Sequence, residues 1–216
     1  SSEKIVEQVI KSADYIYANS FATAKCFPKK NATIVVPNTI DVNAFDIENK
    51  IDPNKINIAM ISSNIPKKGI YDFIEVARLL QHELKNVRFL LVGPENKHIQ
   101  ALRLKREHGN IPANIEFTGY FDEPIDAIEN ANIVLSLSHF QESFGRTVAE
   151  AMASRRPVVA YDWGALSELI NDGKSGYLVP YRDTQAVADQ LKKLCKAPSL
   201  IIEMGHKGRE IILERF

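Results

Sequence analysis

From residue 56 onward, short apolar runs alternate with amphipathic segments of helical period, and few architectures accommodate that alternation. The runs are INIAMI (56–61), VRFLLVG (87–93), NIEFTG (114–119), NIVLSLS (132–138), PVVAY (157–161) and GYLVP (176–180), six candidate strands. Between the first two, Ile70, Phe73, Ile74, Ala77 and Leu84 recur at helical spacing, which predicts a helix packed on a sheet. Helices are also expected over 96–108, 124–131, 145–154, 165–171, 183–196 and 199–214. Strand and helix in strict alternation is the pattern of parallel βαβ units. Right-handed crossovers then place helices on both faces, giving an α/β doubly wound parallel sheet with its ligand crevice at the C-terminal ends of the strands.

The first 46 residues read differently. They predict a helix at 3–12, a short strand at DYIYA, a second helix around 20–26 and a strand at ATIVVPN. A polar stretch containing Pro37, Asn38, Asn43, Asn49 and Pro53 follows and reads as a linker. Neither an internal repeat nor a low-complexity segment is visible.

A chain of 216 residues suffices for one well-buried domain with something attached. Its formal net charge is zero, which argues against a general binder of nucleic acid or anionic membranes, so any phosphate recognition must be local. Cys26 and Cys195 stand far apart without metal or redox spacing, and are expected to be buried free thiols in a reducing cytoplasm. No apolar stretch approaches the ~20 residues needed to span a bilayer, and SSEKIVEQVIK is no signal peptide. The sequon Asn31-Ala32-Thr33 is therefore expected to carry no glycan.

The chemistry concentrates in Glu142-Ser143-Phe144-Gly145-Arg146-Thr147-Val148-Ala149-Glu150. The residues after Gly145 are tolerable or good helix formers, with Val148 and Met152 on one face, so a helix should begin near Gly145. Its first N–H groups lack intrahelical partners and carry the positive end of the macrodipole, an anion site needing no special side chain. Gly145 lets a ligand approach that backbone. Glu142 precedes the helix and Glu150 lies five residues beyond Gly145, about 7.5 Å along the axis. A nucleotide-sugar presents the same order of groups: sugar, diphosphate, ribose.

The pattern Glu, seven residues, Glu, embedded in ESFGRTVAEAMASRRPVVA, resembles the retaining family-4 glycosyltransferases of the GT-B fold. The likeness extends over VVPNTID (35–41), IPKKGIYDFIEVA (65–77), FLLVGP (89–94), NIEFTGY (114–120), GALSELINDGKSGYLVP (164–180) and the closing 208–216. It implies that residues 47–216 form the Rossmann-like C-terminal, nucleotide-sugar-binding half of a GT-B enzyme. Residues 1–46 would be the tail of the N-terminal domain and the hinge, a short remnant of the other domain, and the chain a fragment of a longer enzyme. The acceptor, a glycan or a lipid-linked molecule, would bind through that missing domain. The setting implied is cytoplasmic, at the inner face of the membrane where a peripheral contact is made, as in polysaccharide biosynthesis.

By the same resemblance Glu142 contacts the donor sugar at the reaction centre, and Glu150 accepts hydrogen bonds from the ribose hydroxyls, for which two carboxylate oxygens are suited. The plain alternatives are a solvated loop glutamate and an exposed helix glutamate paired with Arg146 at i,i+4. Phe144, Gly145, Arg146 and Thr147 would bring backbone N–H groups to sugar and diphosphate, with Arg146 reaching either a phosphate or a salt bridge. Lys68 matches the family lysine that neutralises the diphosphate, whereas the arginine usual five residues earlier is Ser63 here, leaving the diphosphate one charge short. Ser63 or Asn64 would then donate a hydrogen bond. The base is expected among Gly93, Pro94, Phe117, Gly119 and Tyr120, with backbone contacts around Phe117. Gly164 and Glu168 match positions near the donor crevice. His139 reads as a solvated or capping loop residue. Asn38 and Asp41 match a pattern with glycine between them; here Thr39 stands there, strained if positive φ is required.

Other readings fit less well. G-x-G-x-x-G is absent after any strand, and Gly173-Lys174-Ser175 lacks the first glycine of a P-loop, which argues against a nicotinamide or P-loop enzyme. No D-x-D offers a metal site, so neither metal nor cofactor is expected. An isomerase or epimerase on this architecture would not need the motif. A non-catalytic nucleotide-sugar-binding subunit or degenerate scaffold stays open, favoured by Ser63 and opposed by the two glutamates and Lys68.

Overall fold

The computed structural model describes residues 2–27 and 32–216, so Asn31 of the sequon lies outside the described residues. A small N-terminal lobe comes first: α1 (Ser2–Ser12), β1 (Tyr15–Ala18), α2 (Phe21–Ala24) and β2 (Ala32–Val35). Strands β1 and β2 pair in parallel as a separate two-stranded sheet. The lobe buries little of its apolar surface, for Ile5, Val6, Val9, Tyr15, Tyr17 and Phe21 are all exposed.

The body follows in the expected alternation. Strand β3 (Ile56–Ile61) leads through a 3-10 turn (Pro66–Lys68) to α3 (Ile70–Leu80), then β4 (Val87–Val92), α4 (Lys97–Glu107), β5 (Ile115–Gly119), α5 (Pro124–Glu129) and β6 (Ile133–Ser136). After β6 come α6 (Arg146–Ala153), β7 (Val158–Tyr161), α7 (Leu166–Leu169), β8 (Gly176–Val179), α8 (Thr184–Lys196) and α9 (Pro198–Arg215). Local signals set several helix starts: Asn96 caps α4 by accepting from His98 N and Ile99 N, and Asp183 caps α8 by accepting from Ala186 N. The helix expected over 165–171 shrinks to one turn because Ile170 turns extended and Asn171 N donates to Ser175 Oγ at 2.9 Å.

The six body strands are parallel and run in the order β5-β4-β3-β6-β7-β8. The order in which strands are added therefore reverses between β3 and β6, the switch point of a doubly wound sheet, where a crevice opens beyond the C-terminal strand ends. Alternate residues of each strand feed two cores. Ile58, Phe89, Leu135 and Val159 pack with α3, α4 and α8 on one face. Ala59, Leu90, Val134 and Val158 pack with α5, α6 and α9 on the other.

The polar stretch after β2 is fastened to the body. Ile40 and Phe45 are buried in the second core, and Arg209 donates to Val42 O at 3.1 Å and Phe45 O at 3.4 Å. Asp46 pairs with Arg155 at 2.7 Å and with Arg209 at 2.9 Å, while buried Arg156 donates to Ile47 O at 3.2 Å. Asp41 Oδ1 accepts from Asn43 N and Ala44 N, both at 3.2 Å, turning the chain onto this anchor. Thr39 does not adopt positive φ, so the strain considered from the sequence does not arise. The lobe itself touches the body through polar groups. Glu168 accepts from Phe21 N at 2.9 Å and Ala22 N at 2.7 Å, Asn19 Nδ2 donates to Ser143 Oγ at 3.2 Å and Thr23 Oγ1 donates to Ser143 O at 3.3 Å.

Candidate functional site

At the switch point lies a cleft of about 530 Å³. Its floor is the C-terminal ends of β3 and β6, with Met60 to Ser63 on one side and Val134 to Ser138 on the other. The start of α6 supplies Gly145 to Val148 and Glu150, the loop before it Glu142, and the turn after β3 Lys68. Gly93 and Pro94 after β4, with Tyr120 and Phe121 after β5, close the far end.

Helix α6 starts where the sequence predicts. Gly145 is its N-cap at φ 87, a backbone conformation that favours glycine, and a Cβ there would also meet the flexible end of Leu166, Cδ2 at 2.6 Å, which would have to shift. Glu150 is only 5% exposed, buried by its place on the inner face of α6 rather than solvated as the plain alternative supposes. Arg146 Nε does donate to Glu150 Oε1 at 2.8 Å, and the arginine side chain, 74% exposed, covers the carboxylate from outside. Both sequence readings of Glu150 thus describe part of its surroundings: it faces the cleft and it has the i,i+4 partner.

Glu142 is held differently. Its backbone bridges to Gly164, whose Cβ, were there one, would lie 2.6 Å from Glu142 O and 2.7 Å from Glu142 N at a φ of 72. Ala165 N donates to Glu142 O at 2.9 Å, closing the same contact. Gly164 thus acts through Glu142 and does not itself line the cleft. The Glu142 carboxylate receives a 2.8 Å hydrogen bond from Lys68 Nζ, and that ammonium also sits 4.4 Å from the centre of the Phe140 ring. Lys67 Nζ lies 5.2 Å from the centre of the same ring, and the residue is exposed.

Of the residues singled out in the sequence, Glu142, Glu150, Lys68, Ser63, Gly145, Arg146 and Thr147 come together in the cleft. Asn64, Phe144, Phe117 and Gly119 do not line it. Asn64, left-handed at φ 55 and buried, donates from Nδ2 to Pro94 O at 3.3 Å and so joins the loops under the cleft. Phe144 packs in the second core against Phe216, ring centres 5.4 Å apart. Phe117 points into the opposite core with Arg103 5.1 Å above its ring. Gly119 O accepts from Gly93 N at 2.9 Å, tying the β4 and β5 loops. Tyr120 lines the cleft at its rim and is 68% exposed. Glu168 lies outside the cleft altogether, on the lobe contact described above.

His139 is neither solvated nor capping, the two loop roles expected of it, for its ring bonds a side chain of α3. Its Nε2 lies 2.8 Å from Asp72 Oδ2, and the same oxygen accepts from Tyr161 OH at 2.6 Å. Burial, reinforced by the Asp72 bond, raises the Tyr161 phenol far above its ordinary range and keeps it the donor. Nothing local in the sequence signals this cluster, because its members come from three separate elements. Ser136 and Ser138 also line the cleft unheralded; the rule that ligands sit beyond the strands at the switch point is the signal that points to them. Cys195 is buried, and burial pushes its thiol up to about 12, but Cys26 is exposed, contrary to expectation, because α2 lies on the surface of the small lobe. Among the described residues no helix is long and apolar enough to cross a membrane.

The model of the family described as "Glycosyl transferases group 1" matches residues 55–197. A poly(ribitol-phosphate) alpha-N-acetylglucosaminyltransferase of Staphylococcus aureus is 32% identical over 95% of this chain and 44% of its own length. A trehalose synthase of Pyrococcus horikoshii is 29% identical over 87% of this chain and 50% of its own. The chain thus spans about half, or less, of the length of these curated relatives. Among solved structures, Staphylococcus aureus TarM superposes with a TM-score of 0.85 and 28% identity, covering 100% of this chain and 43% of that one. A variant of the same protein, with fondaparinux, alpha-GlcNAc-glycerol and UDP, also superposes at 0.85, with 27% identity.

Proposed function

The chain belongs to the group 1 glycosyl transferases with the C-terminal Rossmann-like half of the GT-B fold, and on that premise we propose that it is the donor-binding domain of a retaining glycosyltransferase. The enzyme moves a sugar from a UDP- or GDP-linked donor to a glycan or lipid-linked acceptor, without metal or cofactor. Residues 47–216 bind the donor, and residues 1–46 are the tail and hinge of an acceptor-binding domain. The setting is cytoplasmic, with a peripheral membrane contact made by the longer protein.

One observation carries this reading: the two motif glutamates flank a helix N-terminus in a single cleft that also holds Lys68. The diphosphate lies against the first N–H groups of α6, near Lys68; the ribose reaches Glu150, the sugar Glu142, and the base the Gly93–Pro94 and Tyr120 end. The existing ion pair does not oppose this. A partly exposed pair such as Lys68–Glu142 is worth about 0.2–1 kcal/mol. A hydrogen bond to a charged phosphate contributes about 1.5–3 kcal/mol, so the diphosphate takes over the ammonium and leaves Glu142 to the sugar hydroxyls. Glu142 then lowers the energy of the cationic sugar that forms as the donor bond breaks.

The relative solved with UDP supports a uridine donor as the first to test. Titration calorimetry of the chain with UDP, GDP and ADP is expected to find weak binding of one of them, together with its sugar conjugates. Binding of none removes the donor-site reading. Ser63 gives a second reading its footing: among the described residues, Lys68 and Arg146 are the cations lining the cleft, and each is already matched to a carboxylate. A chain that binds nucleotide-sugar without turning it over would keep nucleotide affinity in the full-length protein and show no transfer to any acceptor.

A further inference from the structure

We infer that His139 and Asp72 are positioning residues that set the Lys68–Glu142 pair, an inference that rests on the donor-site reading above. His139 is gripped from three directions. Its backbone N donates to Lys67 O at 2.8 Å, its ring Nε2 reaches Asp72 Oδ2 at 2.8 Å, and Tyr181 OH donates to its carbonyl at 3.3 Å. Asp72 lies in the first turn of α3, just after the turn that carries Lys68, and Tyr161 OH from the end of β7 holds it at 2.6 Å. The ring of Tyr181 meets those of His139 and Tyr161 edge-on, at 6.1 and 5.8 Å between centres.

The consequence is geometric. His139 is three residues before Glu142, and Lys67 is the neighbour of Lys68. The His139 N to Lys67 O bond therefore joins the two loops that carry Lys68, one residue on, and Glu142, three residues on. Asp72 fixes the ring, and so fixes the loop, from below. Ionised Asp72 only accepts, so the bond requires a proton on His139 Nε2, and an amide N–H at the same place could serve equally. None of these side chains lines the cleft. Their effect passes through where Lys68 Nζ and the Glu142 carboxylate stand.

The test compares His139→Ala and His139→Gln with the unaltered chain by calorimetry. The probes are whichever of UDP, GDP and ADP binds best, and the nucleoside of the same base. Loss of the staple misplaces Lys68, so His139→Ala is expected to weaken nucleoside diphosphate binding about tenfold while the nucleoside binds as before. His139→Gln, whose amide reaches Asp72, restores most of the loss. A histidine that merely supported the fold would lose both probes together and gain nothing from glutamine; that pattern overturns the inference. So does unaltered diphosphate binding in His139→Ala. Failure of the unaltered chain to bind any of the three diphosphates overturns the donor-site reading itself, which separates the two failures.

Discussion

Glu142 and Glu150 stand before and after the first turn of α6 in one cleft, and the chain holds these two ends of the motif by different means. Glu150 is placed by helix geometry alone: once α6 starts at Gly145, its fifth residue must turn inward, and its partner Arg146 is on the same helix. Glu142 is placed by the rest of the fold, through Lys68 from the turn after β3, Gly164 beyond β7 and the His139–Asp72 staple. A group that only binds can be set by local geometry. A group that must meet developing charge to within a fraction of an ångström is better held by several elements at once.

The largest expected effect probes the end set by tertiary contacts. In the full-length protein, Glu142→Ala should lower kcat about 10²- to 10³-fold while nucleoside diphosphate affinity stays equal or rises, since Lys68 is freed; turnover assays and calorimetry read the two separately. Full turnover in that variant erases the distinction between the two ends. Next comes Glu150→Ala, expected to weaken nucleotide binding about 10- to 100-fold. The same change should leave the affinity of the 2′,3′-dideoxy nucleotide as it was, and an equal loss for both nucleotides would remove the ribose contact.

Between the two lies Gly145, where alanine combines positive φ with contact on Leu166. We expect Gly145→Ala to cost about 1–3 kcal/mol of stability, read as a fall of several degrees in the thermal midpoint, and to weaken both ends of the site together. The smallest effect should come from Ser63→Arg, which adds an unpaired cation at the rim. Nucleoside diphosphate affinity is expected to rise up to about tenfold, and an unchanged affinity would show that the cleft is not short of positive charge.

This contrast also explains what the sequence could disclose. Strand and helix order, the start of α6 and the Glu142–Glu150 spacing follow from periodicity and a few local signals, and they appear where predicted. The pairing of Lys68 with Glu142 joins residues 74 positions apart, and no local pattern specifies it. Phe117 shows the complementary limit: its strand is predicted correctly, but which face it presents depends on register, and that face is the core under Arg103. The stretch after β2 reads as a linker in sequence because its residues are polar. Arginines more than a hundred residues away turn much of it into a docked strap.

That docking bounds how far the lobe can travel. Val36 N is still bonded to Ala18 of β1 at 2.8 Å, and Ile40 is already buried in the body, so Pro37, Asn38 and Thr39 are the whole leash between them. Three residues pay out about 11 Å at full stretch. Anything attached to β1 and β2 can therefore swing about this corner of the body, as a door on its frame, but cannot drift away from the mouth of the cleft.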